Sequence, residues 1–141
     1  MILLDTNILT TAKQPQRPLY NQVTNQLTQF IRQKRELIIC PQNIYEFYAV
    51  ATRPLSQNGF GYSGEDTMKE VQDLLGTYTF LNDPADLFIN WQQLIHRYKP
   101  LGKTAHDAKL VAFMKGHEIQ EIYTLNPGDF NSYADLITVL N

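Results

Sequence analysis

The sequence has few of the residues that build disulfides or membrane spans. Cys40 is its one cysteine, so no disulfide can form within the chain. This residue ends the apolar run 37–40, which predicts a buried thiol in a reducing, cytoplasmic compartment. No apolar run approaches the roughly 20 residues that cross a bilayer. The first residues lack a positive region and reach a charge at Asp5, so we expect neither a secretory signal peptide nor a membrane association.

The chain also has no large excess of basic over acidic residues or of acidic over basic residues. The chain has 12 Lys and Arg residues against 14 Asp and Glu residues. This balance gives no sign of a broad basic face that would bind nucleic acid by charge alone. If several acids were gathered at a metal site, the remaining surface would be slightly positive, so a phosphate-containing substrate is not excluded. A chain of 141 residues that is 43% hydrophobic can form one domain, which we expect to span residues 1–141.

Apolar segments of strand length alternate with segments of helical periodicity. The predicted strands lie at 2–4, 37–40, 80–81, 121–125 and 136–140. The predicted helices lie at about 19–35, 43–53, 63–75, 83–98 and 104–115. Asn43 and Asp83 are the expected N-caps of two of these helices, while Gly76 and Gly116 are expected stops. The pattern predicts a three-layer α/β/α sandwich around a mostly parallel sheet of about five strands, with the first strand central.

Four acidic residues that are far apart in the chain each fall where a predicted strand ends or a helix begins. They are Asp5, Glu46, Asp107 and Asp129. Because the carboxyl ends of parallel strands share one edge of a sheet, these residues can converge on a single crevice. Two carboxylates about 4 Å apart repel by roughly 4 kcal/mol at an effective dielectric near 20. Such a cluster therefore needs protons or a divalent cation.

The chemistry of the candidate ligands narrows the choice of cation. All are oxygens, and no His or Cys residues cluster with them, which favours Mg²⁺ or Mn²⁺ over zinc. Hydrolysis of a phosphodiester is the leading reaction for such a site.

Each acid also has a purely structural explanation when it is taken alone. Asp5 and Asp129 could be ordinary turn or capping residues. Glu46 could interact with a helix dipole, and Asp107 could complete a capping-box variant with Thr104. None of these explanations accounts for the shared position of all four acids at one predicted edge.

Four short segments surround these acids in a fixed order: 3–7, 44–54, 106–108 and 123–130. In this order the chain resembles the PIN-domain family of metal-dependent ribonucleases, in particular the single-domain toxins of VapBC-type toxin–antitoxin pairs. The resemblance implies that Asp5, Glu46, Asp107 and Asp129 are catalytic, and that they bind Mg²⁺ or Mn²⁺ or position a metal-bound water.

The resemblance also implies residues that support the metal ligands, while the positions of several side chains beside Glu46 and Asp107 suggest contacts to substrate. The residues expected to support the metal ligands are Thr6, Asn7, Thr124 and Asn126. The candidate contacts to substrate are Arg53, Lys103, Lys109 and His106. The structural alternative for each cation is a solvated surface residue, which is favoured for Lys109. A lone histidine at a helix start is more often a capping or packing residue, so His106 has no predicted catalytic role.

The family resemblance further implies an RNA substrate, a cognate antitoxin that crosses the active-site groove, and a homodimer or a toxin–antitoxin hetero-oligomer. A catalytically inactive PIN-like module that binds RNA or protein is the alternative function. A phosphohydrolase of the haloacid-dehalogenase kind is a weaker alternative. Its nucleophilic aspartate is followed two residues later by an acid, and Asn7 occupies that position here.

Overall fold

A computed structural model describes residues 1–141 and contains a five-stranded, all-parallel sheet. The strands are β1 (Ile2–Leu4), β2 (Leu37–Ile39), β3 (Thr79–Phe80), β4 (Glu121–Tyr123) and β5 (Thr138–Leu140). Their spatial order is β3-β2-β1-β4-β5. The predicted parallel sheet, its number of strands and the central position of β1 are therefore confirmed.

Six α-helices cover the two faces of the sheet. They are α1 (Thr6–Ala12), α2 (Tyr20–Arg32), α3 (Pro41–Thr52), α4 (Gly64–Thr77), α5 (Leu87–Tyr98) and α6 (Thr104–Gly116). Two 3₁₀ segments, Leu55–Gln57 and Pro127–Tyr133, lie in the connections. None of the helices is both long enough and apolar enough to cross a membrane.

The side chains of β1 point alternately into two separate cores, as the pleat of a strand requires. Ile2 and Leu4 pack with buried residues of helices α1 to α4. Leu3 packs with the other core, which is built largely from α6 together with Leu94 of α5. The sheet is therefore buried on both faces, and the predicted three-layer arrangement is confirmed.

Several predicted element bounds differ from the structure. Helix α1 was not predicted: it begins directly after β1, and Asp5 is its N-cap. Helix α3 begins at Pro41 with Cys40 as N-cap, because proline is accommodated in the first helical turn. Asn43 is thus not the N-cap; its side-chain oxygen accepts a hydrogen bond from the Cys40 N–H at 2.8 Å.

Two further helix ends also lie away from their predicted positions. Helix α5 has Asp86, not Asp83, as its N-cap residue. Helix α4 continues through Gly76 to Thr77, since a single glycine costs a helix only about 1 kcal/mol relative to alanine. These shifts move helix ends by a few residues and leave the layers unchanged.

Candidate active site

The four acids lie together at the carboxyl edge of the sheet. Asp5 directly follows β1, Glu46 lies on α3 after β2, Asp107 lies in the first turn of α6, and Asp129 follows β4. All four line one cleft of about 260 Å³. The topology thus brings together residues that are separated by as many as 124 positions in the sequence. Their catalytic and metal-binding roles remain predictions.

Asp5 is held in place by three hydrogen-bond donors. Its Oδ1 accepts the Thr6 backbone N–H at 2.7 Å. Its Oδ2 accepts the Thr124 hydroxyl at 2.6 Å and the Asn7 side-chain amide at 2.8 Å. Burial raises the pKa of Asp5, and the bonds from Thr124 and Thr6 oppose that rise. The carboxylate is therefore fixed in orientation as a hydrogen-bond acceptor.

Asn7 and Thr124 are in turn fixed by the loop that follows β4. The Asn7 side-chain oxygen accepts the Leu125 N–H at 3.1 Å. The hydroxyl of Thr124, which is fully buried, accepts the Asn126 N–H at 3.0 Å. Asn126 thus contributes its backbone to this network, and the residue also lines the cleft. The loop after β4 and the start of α1 are tied to each other through these side chains.

Glu46 has one hydrogen-bond donor for each carboxylate oxygen. Its Oε2 accepts the Thr6 hydroxyl at 2.6 Å, and its Oε1 accepts the Gln42 side-chain amide at 2.8 Å. The same amide of Gln42 donates to the His106 carbonyl at 3.2 Å. Gln42 is buried, and its own carbonyl oxygen has no partner. This glutamine was not predicted to belong to the site, although its position four residues before Glu46 places it one helical turn away.

Asp107 and Asp129 differ, because neither side chain accepts a hydrogen bond. Burial raises the pKa of Asp107 to about 6, and the negative charges of Asp129, Asp5 and Glu46 add to the rise. The seven ion pairs of the protein include none of the four acids. The cleft therefore holds a cluster of carboxylates, none of which forms an ion pair.

The candidate substrate contacts divide into two groups. Arg53 lines the cleft, as do Arg17, Thr10 and Asn58, which the sequence did not single out. Lys103 and His106 are exposed and do not line the cleft; the contact from His106 is made by its backbone carbonyl. Lys109 lies 3.9 Å from Asp83 in an ion pair, in agreement with its interpretation as a surface cation.

Comparison with known families assigns the chain to one of them. A family model described as PIN domain matches residues 2–136. The chain belongs to the PIN domain family. No curated protein matches the sequence.

Solved structures share the fold of this PIN domain at low sequence identity. The VapBC2 complex from Rickettsia felis, bound to a promoter DNA fragment, is 14% identical with a TM-score of 0.72, covering 100% of this chain and 98% of the matched one. FitAcB from Neisseria gonorrhoeae is 23% identical with a TM-score of 0.72, at 100% and 97% coverage. The VapC20 toxin from Mycobacterium tuberculosis is 15% identical with a TM-score of 0.68, at 98% and 97% coverage. At these identities the likeness establishes the fold.

The donors of this PIN domain suit a hard divalent cation. The four acids and the neighbouring side chains Thr6, Thr10, Asn58 and Asn126 supply only oxygen ligands to the cleft, apart from amide nitrogens. No three His, Cys, Asp or Glu side chains are close enough together to form a complete metal site. Mg²⁺ usually keeps several of its waters and takes only one or two protein carboxylates. A loose cluster of uncompensated acids therefore fits Mg²⁺ or Mn²⁺.

Proposed function

We propose that this PIN domain is a metal-dependent endoribonuclease that hydrolyses RNA phosphodiester bonds and serves as the toxin of a toxin–antitoxin pair. The observation that carries the proposal is the convergence of Asp5, Glu46, Asp107 and Asp129 on one cleft, where none of them forms an ion pair. Negative charge of this kind is stable only with protons or a cation. Membership of the PIN domain family supports the same chemistry.

The residues of the cleft have separate roles in the proposed hydrolysis of a phosphodiester. Asp5, Asp107 and Asp129 would hold one or two Mg²⁺ or Mn²⁺ ions, which when bound lower the pKa of water and offset charge on the phosphate. Glu46 is oriented by Thr6 and Gln42. Each of its oxygens retains a free lone pair, so Glu46 can accept a proton from the attacking water or bind the cation. Asn7 and Thr124 keep the Asp5 carboxylate aimed into the cleft.

The partners in this proposal are an RNA substrate and a cognate antitoxin. The similar structures include a toxin–antitoxin complex from Klebsiella pneumoniae, and the VapC20 structure is described as that of a toxin that cleaves the sarcin–ricin loop. These likenesses support a toxin role and assembly as a homodimer or a toxin–antitoxin hetero-oligomer. A cytoplasmic location is part of the proposal, and its support is the single cysteine, Cys40, which is free and forms no disulfide.

Cleavage of labelled single-stranded and structured RNA by purified protein tests the proposal. We expect cleavage with Mg²⁺ or Mn²⁺, none with EDTA, and a loss on the order of 100-fold or more for Asp5→Asn. Asp86→Asn is the matched control, because Asp86 is an exposed aspartate whose side chain forms no hydrogen bond at its helix end. Cleavage that survives EDTA or Asp5→Asn would remove the proposed mechanism.

A catalytically inactive PIN-like module that binds RNA or protein is the second candidate. The observation that favours it is that no three acids already form a metal site. Calorimetry separates the two: the nuclease binds Mn²⁺ and the inactive module does not. An absence of both metal binding and cleavage would decide for the module.

A further inference from the structure

We propose that Arg17 and Arg53 form a subsite for a phosphate group of the RNA backbone, beside the four carboxylates of the cleft. The inference rests on the proposed nuclease function and adds to it the residues that bind the substrate away from the bond that is cut. Both arginines line the acidic cleft. Arg17 comes from the connection between α1 and α2, and Arg53 is the residue after α3.

One wall of the cleft includes Arg53 and Asn58, and the segment that contains them, residues 53–61, folds back on the end of α3. The Gly61 N–H donates to the Arg53 carbonyl at 2.9 Å, and the Phe60 N–H donates to the Val50 carbonyl at 3.3 Å. A Cβ at Gly59 would lie 2.0 Å from the Arg53 carbonyl oxygen, so only glycine fits this close approach. Asn58 has a left-handed φ of 60°, which asparagine tolerates better than most residues. The turn is thus specified locally and fixes the backbone at Arg53.

Arg17 is attached to this wall from the other side. Its Nη2 donates to the Asn58 carbonyl at 3.3 Å, and its guanidinium carbon lies 5.6 Å from the centre of the Phe60 ring. The nearby Gln14, which is buried, donates from Nε2 to the Tyr62 hydroxyl at 3.3 Å. The hydrogen bond to Asn58 and the contact with the Phe60 ring hold the Arg17 guanidinium at the cleft while leaving most of its five N–H donors free.

Neither of the two arginines is paired with a carboxylate of the protein. Neither arginine belongs to any of the seven ion pairs, although four carboxylates line the same cleft. The side chain of Arg53 forms no hydrogen bond at all. Guanidinium groups bind phosphate oxygens in pairs of parallel hydrogen bonds, which makes arginine suited to phosphate recognition. Two such groups beside a phosphodiester-cleaving cluster fit a second phosphate of the same strand.

The alternative ligand for two free arginines is a carboxylate of a partner protein. An acidic protein segment would add negative charge next to four uncompensated acids. An RNA strand brings its phosphates together with the divalent cation that the acids require. The observations therefore favour the RNA backbone over a carboxylate of a partner protein as the ligand of the two arginines.

The test measures the binding of a short fluorescein-labelled single-stranded RNA by anisotropy over a series of salt concentrations, in Mg²⁺. All proteins carry Asp5→Asn so that the RNA stays intact. We expect Arg17→Ala and Arg53→Ala each to raise Kd on the order of 10-fold. We also expect each to reduce the slope of log K against log salt by about 0.7, the value for one phosphate contact on a single strand. In proteins that retain Asp5, the same two changes should raise KM more than they lower kcat.

Two further variants separate binding from a structural role of these side chains. Arg17→Lys keeps the charge, so it should restore the salt slope lost in Arg17→Ala. Arg32→Ala removes an exposed arginine on α2 that lies outside every ion pair and outside the cleft, and it should change neither quantity. Salt slopes in Arg17→Ala and Arg53→Ala equal to that of the parent would overturn the subsite. A slope lost in Arg17→Ala and not restored by lysine would overturn it as well.

The failure of this inference is distinguishable from failure of the nuclease proposal. If the unmodified protein cleaves RNA with Mg²⁺ while the arginine variants bind it unchanged, the subsite is contradicted and the nuclease proposal is supported. A protein carboxylate then becomes the ligand to test. If the unmodified protein neither binds nor cleaves RNA, the nuclease proposal falls and the subsite falls with it.

Discussion

The acidic cleft has two halves that differ in how their carboxylates are held. In the first half, Asp5 accepts three hydrogen bonds and Glu46 accepts two. In the second half, the side chains of Asp107 and Asp129 accept none, and burial beside the other acids raises the pKa of Asp107 to about 6. The first pair is thus oriented by hydrogen bonds without any cation, whereas the second pair has neither a hydrogen-bond donor nor a counter-charge.

This difference follows from where each pair lies in the fold. Asp5 and Glu46 follow the adjacent strands β1 and β2, and Thr6 links them directly through its backbone and its hydroxyl. Asp107 and Asp129 lie at the start of α6 and in the 3₁₀ segment after β4, where no side chain bridges them. A rigid half can define the position of a bound group, while an uncompensated half supplies affinity for a cation.

We expect the largest effect on stability from Thr124→Val, which removes hydrogen bonds from the half of the cleft that contains Asp5 and Glu46, called here the held half. The change removes a donor to Asp5 and leaves the Asn126 N–H without its acceptor. Because Thr124 is fully buried, water does not readily replace these bonds. We expect the free energy of unfolding to fall by about 2 kcal/mol, measured by denaturant titration of the metal-free protein.

The control for this change is Thr28→Val on α2. Thr28 is exposed and its hydroxyl bonds only to the Thr24 carbonyl one turn earlier. We expect an effect within about 0.5 kcal/mol. Equal losses in the two variants would mean that the held half is no better fixed than the surface.

Much of the fold was predictable because its signals are local. The buried strand 2–4, the stop at Gly116 and the alternation of strand and helix all follow from runs and periodicity in short windows. Helix α1 was missed because its segment, 6–12, is short and rich in Thr, which has only modest helix propensity. What drives it is the burial of Ile8 and Leu9 against the sheet, and that is a tertiary effect.

The candidate site was predictable only in part, for the same reason. The four acids could be found because each is attached to a strand end or helix start, and topology then brings such points together. Arg17 lies in the connection between α1 and α2, away from any strand end, and Gln42, although it lies in the first turn of α3, is not an acid. Arg17 reaches the cleft only because the turn at Asn58 receives it, and Gln42 matters through a bond to the His106 carbonyl 64 residues away. Contacts of this kind depend on the packed structure.

We expect a smaller effect on stability, of opposite sign, from Asp107→Asn. This change removes a carboxylate from the half formed by Asp107 and Asp129, called here the uncompensated half. The folded-state pKa of Asp107, about 6, lies above its ordinary value of 3.8. The folded protein therefore binds this proton more tightly than the unfolded chain, and ionisation costs stability as pH rises through that window. Removing the charge should raise the free energy of unfolding by about 1 kcal/mol at neutral pH, a figure reduced for the partial exposure of the side chain.

The pH dependence and the response to metal identify the cause of this gain. In EDTA the gain should be absent below pH 3.8 and complete above about 6, the two pKa values that bound the window. Adding Mn²⁺ should stabilise the protein with Asp107 more than the variant, since only the former keeps all four acids. A variant that is less stable than the parent at neutral pH in EDTA would contradict the assignment of Asp107 to an uncompensated half.

The smallest expected effect tests whether the two halves are mechanically joined. Gln42 is the residue that touches both, since its amide donates to Glu46 and to the carbonyl of His106, the neighbour of Asp107. Gln42→Met conserves the length of the side chain, removes two hydrogen bonds and also removes a buried oxygen that has no partner. Because these effects offset each other, we expect the free energy of unfolding to fall by no more than about 0.5 kcal/mol, measured by denaturant titration.

Gln29→Met, on the exposed side of α2, is the control for replacing a glutamine by methionine. A loss above about 2 kcal/mol at Gln42 alone would mean that the halves form one rigid unit, and the contrast between a held and an uncompensated pair would then have to be abandoned.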